Sequence, residues 1–129
     1  MSLLPTEAQE QAALAAWLDL AVGRMGWCHV PNGGRRDPRE AARMAGQGVK
    51  AGVPDLLIFR RPPLRPEARG VAIELKRRRG GRVSVEQCAW LAALDAEGWA
   101  TTTARGWDEA RAFLEGLGFG LGQAREQRA

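Results

Sequence analysis

Asp55, Glu74 and Lys76 are the residues of this 129-residue chain whose types and spacing are best suited to chemistry. They fall in two short apolar runs, Gly-Val-Pro-Asp-Leu-Leu-Ile-Phe at 52–59 and Gly-Val-Ala-Ile-Glu-Leu-Lys at 70–76. Side chains alternate faces along a strand, so Glu74 and Lys76 point the same way, about 7 Å apart, while Ile73 and Leu75 point oppositely. Charges on a strand that otherwise wants burial cost several kcal/mol unless something uses them. Two carboxylates and an ammonium are a set that could hydrolyse a phosphodiester. That reaction needs an activated water, neutralised phosphoryl oxygens and help for the departing oxygen, all of which a divalent metal supplies. Magnesium prefers oxygen ligands and keeps several waters, so Asp55, Glu74 and the backbone carbonyl of Leu75 would suffice for Mg2+ or Mn2+. Lys76 would then stabilise the developing charge or act as base. The simpler alternatives are a turn-capping acid at Asp55 and a surface ion pair between Glu74 and Lys76.

Pro54-Asp55 followed by Glu74-Leu75-Lys76 resembles the PD…(D/E)xK pattern of restriction-endonuclease-like nucleases. The ordered set Glu7…Gln11, Pro31-Asn32-Gly33-Gly34, Gly52-Val53-Pro54-Asp55-Leu56, Glu74-Leu75-Lys76 and Ser84-Val85-Glu86-Gln87 is similar to the VRR-NUC (virus-type replication-repair nuclease) family across roughly residues 6–115. The resemblance implies a restriction-endonuclease-like α/β core and a metal-dependent DNA endonuclease. It further implies a homodimer acting on branched DNA such as a Holliday junction, with Glu7 adding a carboxylate and Gln87 a hydrogen bond that positions the nucleophilic water or Lys76. Gln87 has a second reading, because Ser84-x-x-Gln87 is also a capping box. Glu7 could equally be a first-turn acid complementing the helix dipole, or Glu10 the true contributor; the spacing of Glu7 to Gln11 and Leu18 favours Glu7.

The elements that must position these residues follow from periodicity and breakers. Thr6 caps a helix from about Glu7 to Val22 with Leu14, Trp17, Leu18 and Ala21 inward. Trp27 to Val30 reads as a strand entering a turn, and Asp37 to Met44 as a short helix. The first site strand spans about Asp55 to Phe59, begun sharply by Pro54. Residues 60–70, with three prolines and five charges, read as an exposed hairpin loop. Val71 to Lys76 is the second site strand, Arg77 to Arg82 a mobile basic turn, and Ser84 opens a helix to about Glu97. Thr101 to Ala104 suits a strand, and Asp108 is expected to cap a last helix ending near Leu117-Gly118. The strand, crossover helix and strand at 71–104 should make a right-handed parallel unit, giving a mixed sheet flanked by helices. One domain over residues 1–122 and a polar tail at 123–129 account for the length.

Nineteen Lys and Arg against 15 Asp and Glu give a net charge of +4. The local clusters matter more: Arg35 and Arg36, and Arg77, Arg78, Arg79 and Arg82, favour a polyanion, though a solvated basic face is the plain alternative. Asn32 beside two glycines could contact DNA or simply make a turn. Two distant cysteines and one histidine supply neither a disulfide framework nor a zinc site, which fits a reducing, cytoplasmic compartment. No apolar run is long enough to span a bilayer, and no phosphate-loop motif is present. Two other functions stay open at this point: a DNA-binding or assembly module without chemistry, and a hydrolase of some other phosphate ester.

Overall fold

The computed structural model describes residues 5–31 and 37–120. Asn32, Arg35, Arg36 and the expected polar tail at 123–129 lie outside them. The chain runs α1 (Glu7–Ala21), β1 (Trp27–His29), α2 (Pro38–Gly46), β2 (Leu56–Ile58), β3 (Val71–Lys76), α3 (Val85–Ala96), β4 (Ala100–Arg105) and α4 (Trp107–Gly116). The strands form one sheet in the order β1-β2-β3-β4. β1 with β2 and β2 with β3 are antiparallel, and β3 with β4 is parallel, with α3 as the crossover. This is the mixed sheet with flanking helices that the sequence implies.

The core explains why β3 carries the site. Val71 and Ile73 pair with Ile58 and Leu56 across β2, and all four are fully buried together with Leu14 and Leu18 of α1 and Leu114 of α4. Each such side chain contributes about 1.5–3 kcal/mol through burial. With Val71 and Ile73 fixed on that face, alternation puts Ala72, Glu74 and Lys76 on the other, where α3 packs. A one-residue slip of β3 would drive Glu74 into the apolar core, so burial of Val71 and Ile73 holds the register of the site.

Three local expectations are corrected. Asp108 does not cap α4: the cap is Gly106, at φ +89° and without a side-chain hydrogen bond, and Asp108 sits inside the first turn. The 60–70 connection is not simply an exposed loop. The Leu64 N–H donates to the Leu117 carbonyl, and Pro62 and Ala68 are buried, so this segment closes the end of the core near α4. The basic turn after β3 is not loose either. The Arg105 guanidinium donates to the carbonyls of Arg77, Gly80 and Gly81.

Candidate active site

Asp55 sits one residue before β2, and the register Leu56↔Ile73 places it opposite Glu74. Its position is fixed from both sides. The backbone carbonyl accepts from Val30 N–H at 2.7 Å and lies 3.1 Å from His29 Nδ1. Because that partner is a carbonyl, Nδ1 must carry the proton. Oδ2 accepts from Leu75 N–H at 2.8 Å. His29 thus holds the loop that carries Asp55.

Glu74 is 2% exposed, and its two oxygens differ sharply. Oε1 accepts from Gln87 Nε2 at 2.6 Å and lies 3.6 Å from Lys76 Nζ. Oε2 is buried and receives no hydrogen bond. Burial first, then the charge of Asp55 and hydrogen bonding between the two carboxyls, push the Glu74 pKa up from 4.5 to about 7, against the pull of Lys76. Two carboxylates facing each other in a half-dry site resist ionising together.

Gln87 makes the capping box, and its remaining amide group meets Glu74 rather than Lys76. Its Oε1 accepts from Ser84 N–H at 2.8 Å, and its own N–H donates to Ser84 Oγ at 3.1 Å, completing the capping box. The free amide end, Nε2, still reaches Glu74. The cap therefore fixes the glutamine that fixes the carboxylate. Gly52 makes this approach possible: at φ +86° it lies so close to α3 that a Cβ there would stand 2.6 Å from Glu86 Cβ and 2.8 Å from Gln87 N. The Gly-Val-Pro-Asp run thereby brings Asp55 and the first turn of α3 to the same carboxylate.

A cleft of about 460 Å³ is lined by Glu7, Asp55, Glu74, Leu75, Lys76 and Gln87, together with Arg77, Gly81 and Arg82. All five residues proposed for catalysis from sequence meet there. Glu7 is exposed and pairs with Arg77 at 3.2 Å. Glu10, its rival on α1, is engaged otherwise: 4% exposed, it lies 2.6 Å from Arg78 Nη2 and accepts from Trp107 N–H at 3.4 Å. A carboxylate at that N-terminus complements the helix dipole and stands in for the missing cap of α4. Arg78 also pairs with Asp108 at 2.9 Å, and holds that carboxyl below its usual range. Arg78 is thus engaged at the joint between α1 and α4, which sets it apart from the other arginines expected to contact phosphate. Sequence gave little warning of this, because Arg78 is one of three consecutive arginines and only the fold distinguishes them. Arg79 and Arg82 are exposed and have no ion pair among the described residues.

Among the described residues no group of three or more His, Cys, Asp or Glu is arranged to hold a metal ion. Two carboxylates and backbone oxygen form a smaller set, and it suits a hard divalent cation that keeps its waters. The buried, undonated Oε2 of Glu74 and the mutual repulsion of Asp55 and Glu74 would both be relieved by a cation at that point. The residues present fit Mg2+ or Mn2+.

No curated protein matches the chain. A solved structure of a VRR_NUC domain protein superposes with a TM-score of 0.71 at 25% identity, covering 91% of this chain and 90% of that one. The VRR-NUC domain model matches residues 5–108, from the cap of α1 through β4 to the first turn of α4. That span contains every residue of the cleft, and the chain belongs to the VRR-NUC family, a nuclease-type family.

Proposed function

We propose that this protein is a metal-dependent endodeoxyribonuclease, selective for branched DNA such as Holliday junctions and acting as a homodimer. The observation that carries the hydrolytic part is the state of Glu74: buried, held through Oε1 by Gln87 and Lys76, with Oε2 left for a cation. A protein that only bound DNA would gain nothing from burying Glu74 opposite a second, half-buried carboxylate at Asp55, since an exposed basic face is enough for phosphate contacts.

Asp55 and Glu74, with the carbonyl of Leu75, would hold Mg2+ or Mn2+. When bound, such an ion polarises a phosphoryl oxygen, makes a water more acidic and assists the leaving oxygen. The chain's own groups do the rest. Leu75 N–H and the Val30 and His29 contacts keep Asp55 in place. Gln87 orients Glu74, and the Lys76 ammonium stabilises the extra negative charge that develops on the phosphoryl oxygens. Glu7, at the rim of the cleft, adds a further carboxylate whose partner, Arg77, is itself available to the backbone of the substrate. Junction selectivity and dimerisation rest on the family resemblance, two sites related by a two-fold axis being suited to cutting two strands symmetrically.

The test is cleavage of end-labelled linear duplex, single-stranded, flap and four-way-junction DNA in magnesium, in manganese and in chelator, with the mass in solution measured alongside. Metal-dependent cutting with a preference for the junction supports the proposal. Binding without cutting in every metal returns the chain to a DNA-binding or assembly module, and no binding to any DNA at low salt points to a smaller phosphate ester.

A further inference from the structure

Four arginines crowd the turn after β3, and the structure sorts them. Arg77 pairs with Glu7 and Arg78 with Glu10 and Asp108, whereas Arg79 and Arg82 have no carboxylate partner among the described residues. Gly80 and Gly81 both take φ +70°. Two adjacent glycines lose more conformational freedom on folding than any other pair, so such a turn needs an external hold to keep one shape. Arg105 supplies it. This residue ends β4 directly opposite Lys76, and its guanidinium takes up three carbonyls, donating through Nη1 to Arg77 (3.0 Å) and Gly80 and through Nη2 to Gly81 (3.2 Å). The amides of Arg79, Gly80, Gly81 and Arg82 donate to no acceptor among the described residues. Gly81 and Arg82 line the same cleft as Asp55 and Glu74.

Carbonyl oxygens repel a phosphate, whereas amides and guanidinia attract one. We infer that Arg105 is a positioning residue that gathers the carbonyls of the 77–81 turn, so that the free amides and Arg79 and Arg82 form a cradle for a backbone phosphate neighbouring the one to be cut. The inference rests on the reading of this chain as a DNA-cleaving enzyme. Arg105 itself touches no substrate. Its planar fork matters, because Nη1 and Nη2 reach the three carbonyls from two fixed positions, whereas an ammonium presents all its donors from one point.

The experiment uses the full chain with labelled junction DNA, binding being followed in chelator across a salt series and cleavage under saturating, single-turnover conditions with magnesium. Arg105→Ala is expected to weaken binding about tenfold and flatten the salt dependence while leaving the saturated rate within about twofold. Arg105→Lys keeps the charge and should stay nearer to the alanine variant than to the wild type. Adding Arg105→Ala to Arg79→Ala/Arg82→Ala should cost little more than the double variant alone, because all act through one turn. Full rescue by lysine, or fully additive losses, would overturn the inference by making Arg105 a direct charge contact. Backbone order is read separately from the 15N relaxation of Gly80 and Gly81. Order retained in Arg105→Ala also overturns it. If the wild type binds no DNA at low salt, the DNA reading fails instead, and the phosphate cradle with it, whatever the relaxation shows for the turn.

Discussion

Gln87 Nε2 stands 2.6 Å from Glu74 Oε1 while the other end of the same amide closes the N-terminal cap of α3. A structural cap and a site contact share one side chain, and substitution can separate them. Gln87→Glu retains the capping box, since glutamate serves at that position as well, but sets a third carboxylate against Glu74. With the cap intact, any fall in unfolding temperature should be confined to high pH, where both carboxyls ionise, whereas cleavage should fall strongly. Gln87→Ala loses both functions, costing about 1–2 kcal/mol of stability as well as activity. Thermal unfolding and cleavage measured on both variants check this.

The raised pKa of Glu74 makes a signed statement about stability. The fold holds a proton that the unfolded chain releases near 4.5, and gives it up only near 7. The contribution is therefore present below about 4.5 and lost as pH rises through about 7. Glu74→Gln, which cannot ionise, should be more stable than the metal-free wild type at pH 8 by about 1–3 kcal/mol once solvent screening in the open cleft is allowed for. The difference should vanish in mild acid. Chemical denaturation at a series of pH values reads it directly, and an advantage for Glu74→Gln that does not depend on pH would contradict it.

Metal addition should act in the opposite sense. A cation at Asp55 and Glu74 competes with the Glu74 proton, so magnesium should raise the unfolding temperature more at pH 8 than at pH 6, and chelator should reverse the gain. Asp55→Asn should respond weakly at either pH. Equal responses in the wild type and Asp55→Asn would place any bound metal elsewhere.

Neighbouring arginines should behave differently. Arg78→Ala leaves the buried Glu10 carboxylate without its ion-pair partner and uncouples α1 from α4, so the unfolding temperature should fall by several degrees. Arg79→Ala removes an exposed side chain and should leave it nearly unchanged while weakening DNA binding. Replacing Glu10 by leucine in the Arg78→Met background should recover part of the loss, because an apolar pair needs no partner there.

Much of this was legible in sequence because strong local signals coincide with the site. Alternation in Val-Ala-Ile-Glu-Leu-Lys placed Glu74 and Lys76 on one face, and the cap at Thr6 and the capping box of Ser84 with Gln87 mark the starts of α1 and α3. The order of all eight elements follows from such cues. What escaped depends on distant partners. Glu10 reads as a misplaced charge on an apolar stripe until Arg78 and the bare N-terminus of α4, almost a hundred residues on, are brought beside it. Asp108 has the composition of a cap, but Arg78 claims its carboxylate. Arg105 is a lone cation after a threonine run, and nothing in its neighbourhood announces that it closes a turn formed more than twenty residues earlier.

The most direct test of the central claim is single-turnover cleavage of a four-way junction by wild type, Asp55→Ala and Lys76→Ala, each first shown to bind that DNA in chelator. The expected result is cutting by the wild type that requires magnesium or manganese and is lost in both variants while binding persists. Cutting that survives chelator, or that either variant retains at the wild-type rate, would contradict a metal-dependent site built on Asp55, Glu74 and Lys76.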